Sequence, residues 1–187
     1  MGMPANAKPG DFFLVSFDGK NPNLGKGVKN WLTHGGLIRI GQFLAGTGFA
    51  EYEHAAVYVG DGLIVQAEPN GANLAHVSDY DGYETLWSTG IIELTDMQRW
   101  AICHAAHSYV GTPYSWVDYA ALAAHRLHLL PATRLLKNYV ASSKHMICSQ
   151  LVDQCEQDAG KQLFNDNRWP GYVMPGSLYQ LLTGDVH

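Results

Sequence analysis

Two periodicities divide the hydrophobic positions of this 187-residue chain, one near two residues and one near 3.6, and they predict strands and helices in a mixed order. Pro9-Gly10-Asp11 reads as a turn, and Phe12 to Phe17 as a first strand. Asp18 to Gly27, rich in Gly, Asn and Lys, reads as a loop. Apolar residues between Val28 and Leu44, interrupted by Gly35-Gly36, predict one broken helix or two short ones. After a glycine-containing loop from Gly46 to Glu53, His54 to Ala67 has the form of a hairpin, two β-rich runs around Asp61-Gly62. Asn70 to Glu84 is polar and is expected to be a loop, and Leu86 to Leu94 a further strand. Thr95 caps a predicted helix that runs to Gly111. Gly111-Thr112-Pro113-Tyr114 breaks it, and two more helices are expected, from Trp116 to about Leu129 and from Pro131 to about Val140. Cys148 then heads an apolar-periodic segment running to Ala159, with Gly160 as its stop, and Ser177 to Leu182 predicts a last helical turn or two. The pattern is that of a single α+β domain covering 1–187, an antiparallel sheet packed against helices.

Composition narrows the function classes. A hydrophobic fraction of 47% and a charged fraction of 16% describe a globular chain with a sizeable core. A net charge of −5 without a basic stripe argues against nucleic acid as the main partner. Three cysteines, Cys103, Cys148 and Cys155, leave at least one thiol unpaired and lack C-x-x-C spacing. The nine histidines are scattered, and the i,i+3 pairs His104/His107 and His125/His128 lack a companion carboxylate, so neither a metal nor a cofactor is expected. The first residues lack the apolar core of a signal peptide, and the apolar stretches are too short to span a bilayer. The expectation is a cytoplasmic chain as encoded, with export by another route left open.

Cys148 is where chemistry enters. Ile147, Leu151 and Val152 share one helical face, so the segment packs on a core while its first turn carries the cysteine. Helix N-terminal N–H groups and the positive end of the dipole favour a thiolate and can bind the oxyanion of an acyl-transfer intermediate. A thiol nucleophile also needs a base, and the base a partner to hold its ring. His54 starts the first hairpin strand, sharing a face with Ala56 and Tyr58, and antiparallel pairing brings Gln66 back beside it. For each residue alone the plain reading is structural: a buried small cysteine, a satisfied strand histidine, a glutamine capping a sheet edge.

Five segments in order, Pro9-Gly10-Asp11 with its strand, His54 to Gly62, Gly111-Thr112-Pro113-Tyr114, Cys148-Ser149-Gln150-Leu151-Val152 and Pro175-Gly176-Ser177-Leu178, resemble the circularly permuted NlpC-type, papain-like cysteine amidases of the YiiX-like group. The likeness extends from about Pro9 to Leu182, and His before Cys is the order of the permuted branch, which includes lecithin:retinol acyltransferase-like enzymes. It implies a papain-like fold with Cys148 as nucleophile, His54 as base and Gln66 as its orienting partner. Gln66 stands where relatives often have a carboxylate, in Ile64-Val65-Gln66-Ala67, so the orienting group carries no charge; Glu68, two residues on, is the other candidate. Tyr114, Tyr58 and Ser149 are expected to contact substrate. The stretch at about 115–141 is a helical insertion relative to the minimal family core and is expected to form a lid or substrate wall. The implied function is cleavage of an amide (cell-wall peptide, γ-glutamyl or isopeptide) through a Cys–His acyl-enzyme, with a peptide or acyl substrate and cell-wall fragments among its partners. Two alternatives stand beside it: a lipid acyl hydrolase or acyltransferase with a greasy groove of Leu127, Leu129, Leu130, Leu135 and Leu136, and a non-catalytic binding module on the same fold.

Overall fold

The computed structural model describes residues 2–16, 52–113, 146–165 and 173–184. Along these run five strands, β1 (Phe12–Ser16), β2 (His54–Gly60), β3 (Leu63–Glu68), β4 (Gly71–His76) and β5 (Glu84–Trp87), and three α-helices, α1 (Asp96–Tyr109), α2 (Cys148–Asp158) and α3 (Pro175–Thr183). A 3-10 turn, Val77–Tyr80, follows β4. The architecture is mixed α+β. The strands make one antiparallel sheet in the order β4-β3-β2-β1-β5.

Period-two alternation gives the sheet two buried faces. Phe12, Leu14, Ala55, Val57, Val65 and Ala67 point to the side covered by α1 and α2, where they meet Ile102, Ala106, Leu151 and Val152. Phe13, Val15, Ala56, Tyr58 and Ile64 point to the other side, under Tyr80, Tyr83, Trp87, Ile147 and Met174. Phe13 and Trp87 stack there with ring centroids 4.5 Å apart. Residues 146–148 reach both sides: Ile147 belongs to the second cluster, while Met146 and Cys148 belong to the first.

Two expectations about the sheet are corrected. Asn70 to Glu84 is not one loop: Gly71–His76 pairs with the whole of β3 as a third meander strand, and its polar Asn73 and His76 had concealed the alternation. Leu86 to Leu94 is not one strand. β5 ends at Trp87 because Ser88 turns inward, its N–H donating to the Phe12 carbonyl and its Oγ accepting from the Phe12 N–H, both at 2.9 Å. The predicted helices over Val28 to Leu44, 116–129 and 131–140, and with them the insertion at about 115–141, lie outside the described residues. Among the described residues no helix is long and apolar enough to cross a membrane.

The Pro9-Gly10-Asp11 turn is a junction. The Asp11 carboxylate accepts from the Lys8 N–H (2.9 Å), Thr89 Oγ1 (2.8 Å) and Arg99 Nη1 (2.7 Å), and Arg99 also donates to the Pro9 carbonyl. Gly10 N–H donates to the Tyr58 carbonyl and Tyr58 N–H to that of Asp11, both at 2.8 Å, so the turn clasps the far end of β2. Gly10 has φ +91°, and a Cβ there would stand 3.0 Å from the Arg99 Cα, which leaves glycine as the residue that fits. Because Asp11 is almost fully buried, removing its carboxylate strands the Arg99 guanidinium. Asp11→Ala is therefore expected to cost about 3 kcal/mol in urea unfolding, and Asp11→Asn, which still accepts hydrogen bonds, less. An Asp11→Ala chain that unfolds at the wild-type urea concentration would contradict this role.

Candidate functional site

The first residue of α2, Cys148, meets the second residue of β2, Ala55, at one end of the sheet. α2 packs on β2 and β3, and the loop before it is tied to the sheet edge by Gly111-Thr112-Pro113. Ala72 N–H donates to the Thr112 carbonyl (2.7 Å), Gly111 N–H to that of Ala72 (2.8 Å), and Met146 N–H to that of Pro113 (3.1 Å). Gly71 has φ +107°, and a Cβ there would lie 2.9 Å from the Thr112 oxygen, so glycine lets the two backbones close. The sequence element that looked like a helix breaker thus sets the starting point of Cys148.

Cys148 occupies the first helical position, after Ile147 in extended conformation (φ −95°, ψ 166°). Gln150 Oε1 accepts from the Ile147 N–H at 3.0 Å, which satisfies one of the orphan donors of the helix start. The sulfur is buried, 1% exposed, and is met by the backbone N–H groups of Ala55, Ser149 and Cys148 itself. Burial nevertheless dominates and pushes the thiol up to about 11, the three N–H groups opposing it. The helix start does not make this cysteine a resting thiolate.

His54, next in the chain to Ala55, is fully buried. Its Nε2 lies 3.0 Å from Gln66 Oε1. Gln66 stands directly opposite Ala56, so it reaches His54 diagonally across the β2–β3 ladder. The same Oε1 accepts from the Tyr80 hydroxyl, and the rings of His54 and Tyr80 stack with centroids 5.6 Å apart. Gln66 Nε2 donates to Asn73 Oδ1 at 3.3 Å, and Asn73 Nδ2 donates to Glu68 Oε2 at 3.1 Å and to the Gly71 carbonyl at 3.2 Å. Burial lowers the His54 imidazole to about 4, with the Gln66 bond opposing. Tyr80 is pushed up by burial first and then by the nearby Glu68, Cys148 and Asp79, so its hydroxyl stays a donor.

Of the residues singled out in the sequence, the fold joins His54 to Gln66 by a hydrogen bond and sets Cys148 on the backbone of Ala55. Glu68 does not meet the imidazole first; Asn73 and Gln66 stand between them. Tyr58 packs edge-on to Trp87 (6.1 Å) in the second core cluster, four residues along β2 from His54, where it serves packing. Ser149 is buried and gives its Oγ–H to the Val173 carbonyl at 2.7 Å, holding the entry to α3. Tyr114 lies outside the described residues. Sequence reasoning missed Tyr80 and Asn73. Asn73 could have been found from the strand that follows Pro69-Asn70; Tyr80 carries no local signal. Among the described residues no group of three His, Cys, Asp or Glu is arranged to hold a metal ion.

The depressed imidazole has a stability consequence. An unfolded histidine binds its proton near 6.5 and the folded one only near 4, so the unfolded chain takes up more protons between those values. The contribution of neutral His54 is fully present above pH ~6.5 and is lost as pH falls toward ~4, a change of about 3 kcal/mol. Urea unfolding of wild type and His54→Gln at pH 7.5 and 4.5 is expected to show the larger loss in wild type; equal losses would contradict a neutral buried imidazole.

Compared with known proteins, the chain matches no family model and no curated sequence.

Proposed function

We propose that the chain is a thiol-dependent hydrolase with a papain-like, circularly permuted NlpC-type fold, cleaving an amide bond of the cell-wall peptide, γ-glutamyl or isopeptide kind. One observation carries the reading. A fully buried histidine at the head of a strand is bonded to Gln66 while a cysteine at the head of a helix rests on the next residue of that strand, Ala55. A buried polar pair costs stability unless its partners are complete, and here an imidazole and an amide are hydrogen-bonded at the strand residue next to the one on which the thiol rests.

The electrostatics choose the form of the chemistry. With the thiol near 11 and the imidazole near 4, the resting pair is neutral, and proton transfer accompanies attack. The Cys148 proton passes to the His54 ring as sulfur bonds to the substrate carbonyl carbon and the carbonyl pair moves to oxygen. N–H groups at the start of α2 are the available donors for that oxyanion. Its collapse breaks the C–N bond, and the imidazolium returns the proton to the leaving amine. Water then attacks the thioester with His54 as base, the C–S bond breaks, and acid and thiol are released. Gln66 adds no negative charge to stabilise imidazolium, which agrees with a pair that ionises only in passing.

Acylation of Cys148 by an activated amide or thioester, read by intact mass, tests this directly. The wild type is expected to form a one-to-one acyl adduct at pH 7, and His54→Ala to form it at least about a hundredfold more slowly. The base must be neutral, so the rate should hold as pH falls through 6.5 and drop only near pH ~4. A rate unaffected by His54→Ala would refute the base.

A second reading, a binding module on the same fold, is favoured by the burial that keeps the thiol protonated. It expects no acyl adduct in the folded chain and labelling of Cys148 only after denaturation. The lipid-acyl alternative rested on leucines between 127 and 136, which lie outside the described residues.

A further inference from the structure

The amide groups around His54 have a direction. Asn73 Nδ2 faces two groups that can only accept, the Glu68 carboxylate (3.1 Å) and the Gly71 carbonyl (3.2 Å), so the nitrogen of that amide must be on their side. Its Oδ1 therefore faces Gln66, which meets it with Nε2 at 3.3 Å. Gln66 in turn presents Oε1 to His54 and to the Tyr80 hydroxyl. An oxygen facing the ring at 3.0 Å demands a proton on Nε2. Reversing Asn73 would set its oxygen against the carboxylate and the carbonyl and NH2 against NH2 between the two amides, and reversing Gln66 would set oxygen against oxygen there. Each orientation thus fixes the next, from the end of β3 to the imidazole.

We propose that Glu68 and Asn73 are positioning residues that fix the tautomer of His54, through Gln66, as Nε2–H with Nδ1 as the basic nitrogen. The proposal rests on His54 being the base of the hydrolase reading above, and it adds two residues that touch neither the thiol nor the ring. Asn73 and Gln66 are a directly opposed pair of the β3–β4 ladder, and Glu68 stands opposite Gly71 at the end of that ladder. The missing carboxylate beside His54 is thereby recovered at the far end of two amides, as a director of orientation and not as a counter-charge. Tyr80 supports the same sense, because a hydroxyl held in its protonated form donates to the oxygen that faces the ring.

The ring nitrogens of His54 report the tautomer without any substrate, by 15N NMR of histidine-labelled protein at pH 7. The wild type is expected to show His54 essentially all as Nε2–H. Asn73→Leu removes the middle amide and should give a mixture of tautomers with acylation of Cys148 slowed about tenfold or more, while Glu68→Gln removes one of the two acceptor-only groups, leaves the Gly71 carbonyl, and should give a smaller admixture. The double variant Glu68→Gln/Asn73→Asp should return the spectrum part of the way to wild type, because one carboxylate oxygen then faces the Gly71 carbonyl with no proton between them. The carboxylate it places at position 73 accepts from Gln66 Nε2, and the amide it places at position 68 donates to that carboxylate. A histidine that stays Nε2–H in both single variants overturns the relay, as does a wild type with Nδ1–H. A chain whose tautomer responds in this way but whose Cys148 never acylates refutes the hydrolase reading and leaves the relay standing.

Discussion

A fully buried imidazole has to be neutral or paired, and here a single amide oxygen decides which. Gln66 Oε1 receives His54 Nε2 and the Tyr80 hydroxyl together, in a site where water cannot compete. An uncharged partner leaves desolvation as the larger force, and the ring remains neutral. A carboxylate in the same place would have favoured imidazolium. In the proposed hydrolase the chemistry follows from that one side chain: proton transfer in step with attack, and no standing ion pair.

The rest of the fold seats the start of α2 on the start of β2, Cys148 on Ala55. Asp11 clasps the far end of β2 to β1 and α1, while Gly71, Thr112 and Pro113 fasten the strand edge to the residues ahead of Cys148. Ser149 anchors the entry to α3, and Ile147 and Cys148 reach to opposite faces of the sheet. None of these contacts is catalytic in itself. Together they fix β2 and α2 at their starts, where the proposed reacting pair would be held without tilt or slip.

Much of this was legible in the sequence where one local rule dominated. The Asp61-Gly62 turn made the hairpin plain, Thr95 announced α1, and the period of Ile147, Leu151 and Val152 gave α2 with Cys148 at its head. Proximity of Gln66 to His54 was expected from antiparallel pairing; its diagonal reach, opposite Ala56, depends on a register that a shift between Tyr58 and Gly60 helps to set. β4 escaped because its inward polar residue, Asn73, belongs to the site and breaks the apolar alternation. The early end of β5 followed from a tertiary contact of Ser88 with Phe12 across the sheet. Tyr80 was invisible for the same reason: its role depends on a partner fourteen residues away. Chemical type at Cys148 misled in one respect, since a helix start lowers a thiol only when burial does not outweigh it.

The proposed chemistry stands on His54 being a neutral, protein-held base at the pH where the chain would work. Following the His54 ring signals by NMR from about pH 8 to about pH 4 tests that most directly. No protonation is expected through the ordinary histidine range, with uptake of a proton only near the acid end, about 4. Protonation near 6.5, or an imidazolium already present at neutral pH, would contradict it.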